Sequence, residues 1–362
     1  MERKVKIGII GCGGIGTGKH LPSLAKVPEA EVVAFCDLIP ERAEEAEKKF
    51  GAEGARVYTD YKELLEKETE IEVIHVCTPN RMHAPITIDA LESGRHVMCE
   101  KPMAKTYVEA RLMLEAAKRT GKKLTIGYQG RQRPEAMYLK KTVERGDLGE
   151  IYYAKALALR RRAVPTWGVF LNEFEQGGGP LIDIGTHALD LTLWTMNNYE
   201  PAYVVGTKYR KLADDTDQGN AWGNWDPEKF TVEDSAFGFL VMKNGATIVL
   251  ESSWALNILD PLESACVLCG TKGGADMKDG LRINYIDMGR QCEKKPNFKA
   301  GGAAFYDAIS DDDASGNEAR QWIQAVIHDT DPCVLPEQAL CVTQILEGIY
   351  TSSVTGKPVY FD

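Results

Sequence analysis

Near the amino terminus, Gly11-Cys12-Gly13-Gly14-Ile15-Gly16 follows an apolar run and leads into a helical stretch. In a G-x-G-x-x-G turn, Gly11 makes the tight bend, Gly13 lets the backbone approach a pyrophosphate, and Gly16 permits close packing of helix on strand. The helix entered at Gly14 and Ile15 offers phosphates its unpaired N–H groups and the positive end of its dipole. Asp37 ends the second apolar run, 21 residues after Gly16. A carboxylate there hydrogen-bonds the adenosine ribose and repels a 2′-phosphate. The expected cofactor is therefore NAD, with NADP the lesser alternative because Arg42 could assist a phosphate. The same stretch nearly spells a triphosphate-binding loop from Gly13 to Gly18-Lys19, but His20 stands where a Ser or Thr must ligate magnesium. That substitution argues against NTP hydrolysis.

Glu100-Lys101-Pro102 directly follows the fourth apolar run, at the carboxyl edge where open α/β sheets bind ligands. The proline biases Lys101 to an extended backbone and holds it at a strand end. Taken alone, the tripeptide reads equally as a surface lysine before a loop. Further on, Asp183 and His187 fall at i and i+4 in DIGTHALDL, with Asp190 at i+7. On a helix these share one face, and Leu181, Ile182, Ile184, Leu189, Leu191 and Leu193 make up the apolar remainder. A satisfied core histidine and a helix-dipole aspartate would account for two of the three. Buried charge without a partner is costly, however, so three such groups on one face point to a polar cleft.

The elements that must position these groups alternate in the first third of the chain. Strands are expected at 5–10, 31–36, 73–77, 96–99 and 123–127, with helices at about 41–50, 84–93 and 107–120. That rhythm implies right-handed crossovers and a doubly wound parallel sheet, a Rossmann domain over 1–127. After Gly127 the runs alternate as half-exposed strands do, at 151–159, 202–209, 235–241, 246–254 and 264–269, with turn signals such as Lys243-Asn244-Gly245 between them. One long helix, 180–196, interrupts them. The expectation for 128–362 is an α+β domain on a large, mostly antiparallel sheet, closed by helices at about 317–328 and 336–351. The charged, Gly-rich stretch from Gln291 to Asp313 is expected to be a mobile loop.

With 362 residues, two domains are expected. A net charge of −10 argues against wrapping nucleic acid or lying on an anionic membrane. No apolar run is long enough to span a bilayer, and the first residues are too short a run for a signal peptide. Nine cysteines then read as free thiols in a reducing, cytoplasmic compartment. Cys266-x-x-Cys269 lacks the second pair a zinc site needs, and Asp214, Asp215 and Asp217 miss the spacing of a calcium loop. No metal is expected.

The glycine turn, Thr78-Pro79-Asn80-x-x-His83, Glu100-Lys101-Pro102 and Asp183-x-x-x-His187 occur in the order found in the glucose–fructose oxidoreductase/inositol dehydrogenase/MocA family, which the chain resembles over nearly its whole length. The resemblance implies hydride transfer between nicotinamide and a secondary hydroxyl of a sugar, glycoside or inositol, with Lys101, Asp183 and His187 as the catalytic triad. By position Asn80, His83 and Glu100 look like groups around the ribose and nicotinamide, with Thr78 and Pro79 in the same loop. Gln129 replaces the family's usual Asn, which leaves its role at the cofactor open. In the implied chemistry, His187 is the general base for the hydroxyl proton. Lys101 holds the developing alkoxide, and Asp183 orients the hydroxyl or His187.

The resemblance also puts Arg160-Arg161-Arg162, Trp167 and Phe170 on a cleft-side loop, with Arg160 and Trp167 touching substrate; an exposed basic strand face is the other reading of the arginines. Trp222 and Trp225 would rim the same cleft or an oligomer interface. An open sheet in such a protein implies a homodimer or homotetramer. Two other readings stay open: a redox-neutral, NAD-dependent glycosidase or lyase, and a non-catalytic NAD-binding protein.

Overall fold

The uninterrupted apolar run Val5–Ile10 folds as β1, a strand buried along most of its length, as a central parallel strand must be. In the computed structural model, which describes residues 3–215, 217–298 and 313–361, β1 lies inside a six-stranded parallel sheet. Its companions are β2 (Ala30–Cys36), β3 (Arg56–Tyr58), β4 (Val73–Val76), β5 (His96–Cys99) and β6 (Leu124–Ile126), in the order β3-β2-β1-β4-β5-β6. The connecting helices are α1 (Leu21–Leu24), α2 (Pro40–Phe50), α3 (Tyr61–Lys67), α4 (His83–Glu92) and α5 (Tyr107–Thr120). Strand order reverses between β1 and β4, so the crevice outside the carboxyl ends of those strands is the expected ligand position.

Register makes that edge exact. Ile10 pairs with Cys36 on one side and Val76 on the other, Val76 with Cys99, and Cys99 with Ile126. Five strands therefore end in one row. The segments that follow them, at Gly11, Asp37, Cys77, Glu100 and Gly127, leave the sheet from the same edge.

The chain divides into two units. The first holds the described residues up to Gln132 and those from 313 to Leu340, so its limit falls a few residues past Gly127 and it includes α9 (Ala314–Ile327). This corrects the assignment of that helix to the second domain. Ala319, Trp322, Ile323 and Val326 form its apolar stripe, and they belong to one buried cluster with Val5, Ile7 and Ile9 of β1.

The second unit begins with α6 (Pro134–Glu144) and is built on a nine-stranded sheet. Its strands are β7 (Ile151–Leu159), β8 (Pro201–Tyr209), β9 (Ser235–Met242), β10 (Thr247–Ser253), β11 (Leu262–Gly270), β12 (Gly273–Asp276), β13 (Arg282–Asp287), β14 (Arg290–Lys294) and β15 (Val359–Tyr360). Their order is β14-β13-β12-β11-β7-β10-β9-β8-β15. The pairing is antiparallel except between β7 and β10. The short α7 (Glu173–Gln176) precedes the long helix, which is a π-helical turn, Leu181–Gly185, continued by α8 (Thr186–Met196) packed on β7 and β11. The last helix, α10 (Pro336–Thr355), runs four residues beyond its expected end. The expected loop at 291–313 starts late, because Gln291 to Lys294 belong to β14; its part at 299–312 lies outside the described residues.

Candidate active site

In the first unit, two glycines of the turn are required by their surroundings. Gly11 has φ +97°, and a Cβ there would lie 2.5 Å from the Cys77 carbonyl oxygen. A Cβ on Gly16 would lie 2.3 Å from the Gly11 carbonyl oxygen. Gly13 and Gly14, by contrast, face open space. The turn is thus closed by two glycines and left accessible at the two where a diphosphate would approach. Gly16–His20 is π-helical, a form that recurs at functional sites. Asp37 sits at the tip of β2, its Oδ2 accepting from the Cys12 amide (2.8 Å) and its Oδ1 from the Ile39 amide (2.9 Å). One carboxylate therefore braces the glycine turn while standing beside it, and Arg42 is exposed in the first turn of α2. These residues fit a dinucleotide.

Lys101 follows β5 at the same edge, joined to Pro102 by a cis peptide bond. Glu100, just before it, turns inward. Its Oε2 accepts from the Lys101 amide (3.1 Å), and its Oε1 accepts from Lys19 Nζ (2.7 Å) and lies 2.8 Å from His20 Nε2. Lys19 also donates to Glu318 (3.0 Å) and to Gln129 Oε1 (3.1 Å). Burial acts to raise the Glu100 carboxyl, but Lys19 and His20 overcome it and hold the group well below the usual carboxylate range. Burial likewise acts to lower the Lys19 ammonium, and Glu100 and Glu318 leave it raised instead. The lysine that nearly completes a triphosphate loop is thus committed to a buried ion cluster. Gln129 contributes to that cluster.

His83 is likewise held within the fold. Its Nδ1 lies 2.7 Å from the Pro102 carbonyl oxygen and its Nε2 3.0 Å from that of Thr78. Burial pushes its pKa down against those two carbonyls. The ring ties the loop after β4 to the loop after β5, so it braces the edge from behind. Asn80, in the short 3-10 turn Asn80–Met82, is partly exposed after Pro79, and the Thr78 hydroxyl is buried with no hydrogen-bond partner among the described residues.

In the second unit, every residue from Pro180 to Leu193 is buried except Asp183 and His187. The polar pair predicted from spacing is the accessible face of this helix. Asp190 is a correction: it lies on α8 three residues beyond His187 and is fully buried, so the accessible polar face ends at His187. Asp183 Oδ2 accepts from Nε1 of the buried Trp254 (3.0 Å). The helix start is held by Glu233, whose carboxylate accepts from the Gly179 amide (2.9 Å), the Leu181 amide (3.2 Å) and the Tyr350 hydroxyl (2.8 Å). Burial pushes the Glu233 carboxyl up, against the amide and hydroxyl that donate to it. Sequence reasoning missed Glu233, Tyr350 and Trp254. The glycines at 178 and 179 were the available signal, since a Cβ on either would collide with Tyr350 or with the Glu233 backbone.

Arg160 forms two 2.6 Å bonds to Glu263 and lies over the Trp222 ring, while Arg162 pairs with Asp215 at 3.6 Å. Trp167 and Trp222 are exposed and meet edge to face; Phe170 joins Trp167 to Trp254. Trp225 is instead 4% exposed and donates to the Ala213 carbonyl, so it is core rather than rim. Cys266 and Cys269 alternate inward and outward along β11, which keeps their thiols apart. Asp214 pairs with Arg210.

Residues 5–128 match the NAD-binding Rossmann domain of the GFO/IDH/MocA oxidoreductase family, and residues 136–276 match its C-terminal domain. The chain is 39% identical to a D-glucoside 3-dehydrogenase of Escherichia coli K12 over 98% of its own length and 97% of the relative's. It is 32% identical to an inositol 2-dehydrogenase of Salmonella typhimurium over 53% of its length and 55% of the relative's. An aldose–aldose oxidoreductase of Caulobacter crescentus shares the fold with a TM-score of 0.80 at 24% identity, covering 99% of this chain and all of that one.

Proposed function

The chain belongs to the GFO/IDH/MocA oxidoreductase family, and from that premise we propose that it is an NAD-dependent dehydrogenase of glycosides, acting on the ring hydroxyl at carbon 3 of a glucoside. The observation that carries this reading is the row Ile10–Cys36–Val76–Cys99–Ile126, which brings the glycine turn, Asp37, the Thr78 loop and Lys101 to one sheet edge. Gly13, Gly14 and the helix start at Ile15 would hold the diphosphate, and Asp37 the ribose. Its carboxylate would face a 2′-phosphate with like charge, which favours NAD over NADP. Bound nicotinamide supplies a hydride acceptor.

The chain's own residues do the rest. His187 takes the hydroxyl proton as general base. The Lys101 ammonium stabilises the alkoxide as charge develops. Asp183, fixed by Trp254, orients the hydroxyl or the imidazole. Lys101 belongs to the first unit, and Asp183 and His187 to the second.

The test is incubation with NAD and a panel of methyl glycosides, free sugars and inositols. Reduced cofactor accumulating with a glucoside supports the reading. Aglycone released without reduced cofactor would make the protein a redox-neutral lyase instead.

The outer face of the second unit's sheet supports a homodimer or homotetramer. Cross-strand rows Val205–Phe239–Val249 and Tyr203–Val241–Thr247 leave partly exposed apolar side chains side by side. A contiguous patch of this kind is a site for association.

A further inference from the structure

Trp167 and Trp222 are 52% and 43% exposed, yet the segments carrying them are firmly built. Asn220 accepts from the Val164 amide (2.8 Å) and donates to the Val164 carbonyl (3.0 Å) and the Gly223 carbonyl (2.7 Å). The Ala221 amide donates to the Arg162 carbonyl (3.0 Å), and the Thr166 hydroxyl to the Trp222 carbonyl (2.7 Å). The two indoles meet at 4.9 Å and 74°. Beside them Arg160 lies 5.1 Å from the Trp222 ring centre, clamped by Glu263. Rigid aromatic faces bordered by charged hydrogen-bonding groups suit a sugar, whose ring C–H groups pack on indole while its hydroxyls reach the polar rim. From the Trp167–Trp222 pair one route to the Asp183 carboxylate runs through Phe170 (5.9 Å from Trp167) and Trp254 (6.5 Å from Phe170), while Arg160 itself feels the Asp183 charge. With two rings intervening on that route, the indole pair meets a neighbour of the reacting ring, and Arg160 stands between the two positions.

Resting on the glycoside reading above, we propose that Trp222, with Trp167 and Arg160, forms a second sugar subsite that holds the ring glycosidically linked to the one oxidised. The preferred substrate is then a disaccharide or similarly extended glucoside rather than a methyl glucoside. The experiment compares a glucose disaccharide with methyl glucoside in wild type, Trp222→Ala and Trp222→Phe. Disaccharide binding is read from tryptophan fluorescence, turnover from reduced cofactor, and molecular mass from sedimentation. In Trp222→Ala the disaccharide KM rises by about tenfold or more with kcat within about twofold, while methyl glucoside kinetics and molecular mass are unchanged; Trp222→Phe recovers most of the loss. Equal losses on both substrates, no loss on either, or a change of mass would overturn the subsite. A wild type that binds the disaccharide with altered fluorescence but forms no reduced cofactor would overturn the dehydrogenase reading and leave the subsite standing.

Discussion

Lys101 and Asp37 carry the most specific assignments at the scale of single residues. Lys101→Ala removes the ammonium from the strand edge while leaving the glycine turn and Asp37 untouched. Turnover should fall by about 100- to 1,000-fold with NADH affinity little changed, as measured by steady-state kinetics and direct binding. Wild-type turnover in that variant removes Lys101 from the mechanism. Asp37 is anchored by two amides, and its neighbour Leu38 is almost fully exposed, so a phosphate-binding arginine fits beside it without disturbing packing. Asp37→Ser with Leu38→Arg should move the NAD/NADP preference toward NADP by about tenfold or more; unchanged discrimination in direct binding refutes the ribose assignment. At this scale the sequence was legible wherever a motif has a steric or electrostatic reason. The steric jobs given to Gly11 and Gly16 are the ones their surroundings impose. It was illegible where the partner lies far along the chain. Nothing near Glu100 announces that Lys19 and Glu318 will bury its charge, and nothing near Asp183 announces Trp254.

Elements whose pattern is unambiguous, such as the apolar runs of β1, β4 and β5 or the helical period of α5, could be read directly. β3 could not, because only Tyr58 of its three residues is buried. The strands β12 to β14 are short and rich in glycine and charge, and β13 and β14 are mostly exposed, so they show no apolar alternation. Helix α9 has a clear apolar stripe, but periodicity does not say which core receives it. The π-turns at Gly16–His20 and Leu181–Gly185 have no sequence signature, although both lie beside candidate site residues. The ion cluster is where elements depend on one another: Lys19 from the glycine-turn helix, Glu100 from the end of β5 and Glu318 from α9. Lys19→Met leaves two buried carboxyl groups without their cation. It should destabilise the protein by about 3–5 kcal/mol in urea unfolding; a loss within experimental error would show that the cluster is dispensable to the fold.

For the whole molecule, the open face of the nine-stranded sheet and the two-unit division govern behaviour that no motif records. Phe239 is 46% exposed between Val205 and Val249. Phe239→Glu places charge in the centre of that patch and should convert the proposed dimer or tetramer to smaller species by sedimentation, with secondary structure unchanged by circular dichroism. An unaltered mass would place any subunit contact elsewhere. The proposed function stands on direct hydride transfer from a sugar carbon to the cofactor. A methyl glucoside carrying deuterium at carbon 3, incubated with NAD, tests it most directly by mass spectrometry of the cofactor. The account predicts reduced cofactor carrying the deuterium; reduced cofactor free of deuterium, or deuterium lost to water with no reduced cofactor formed, would contradict it.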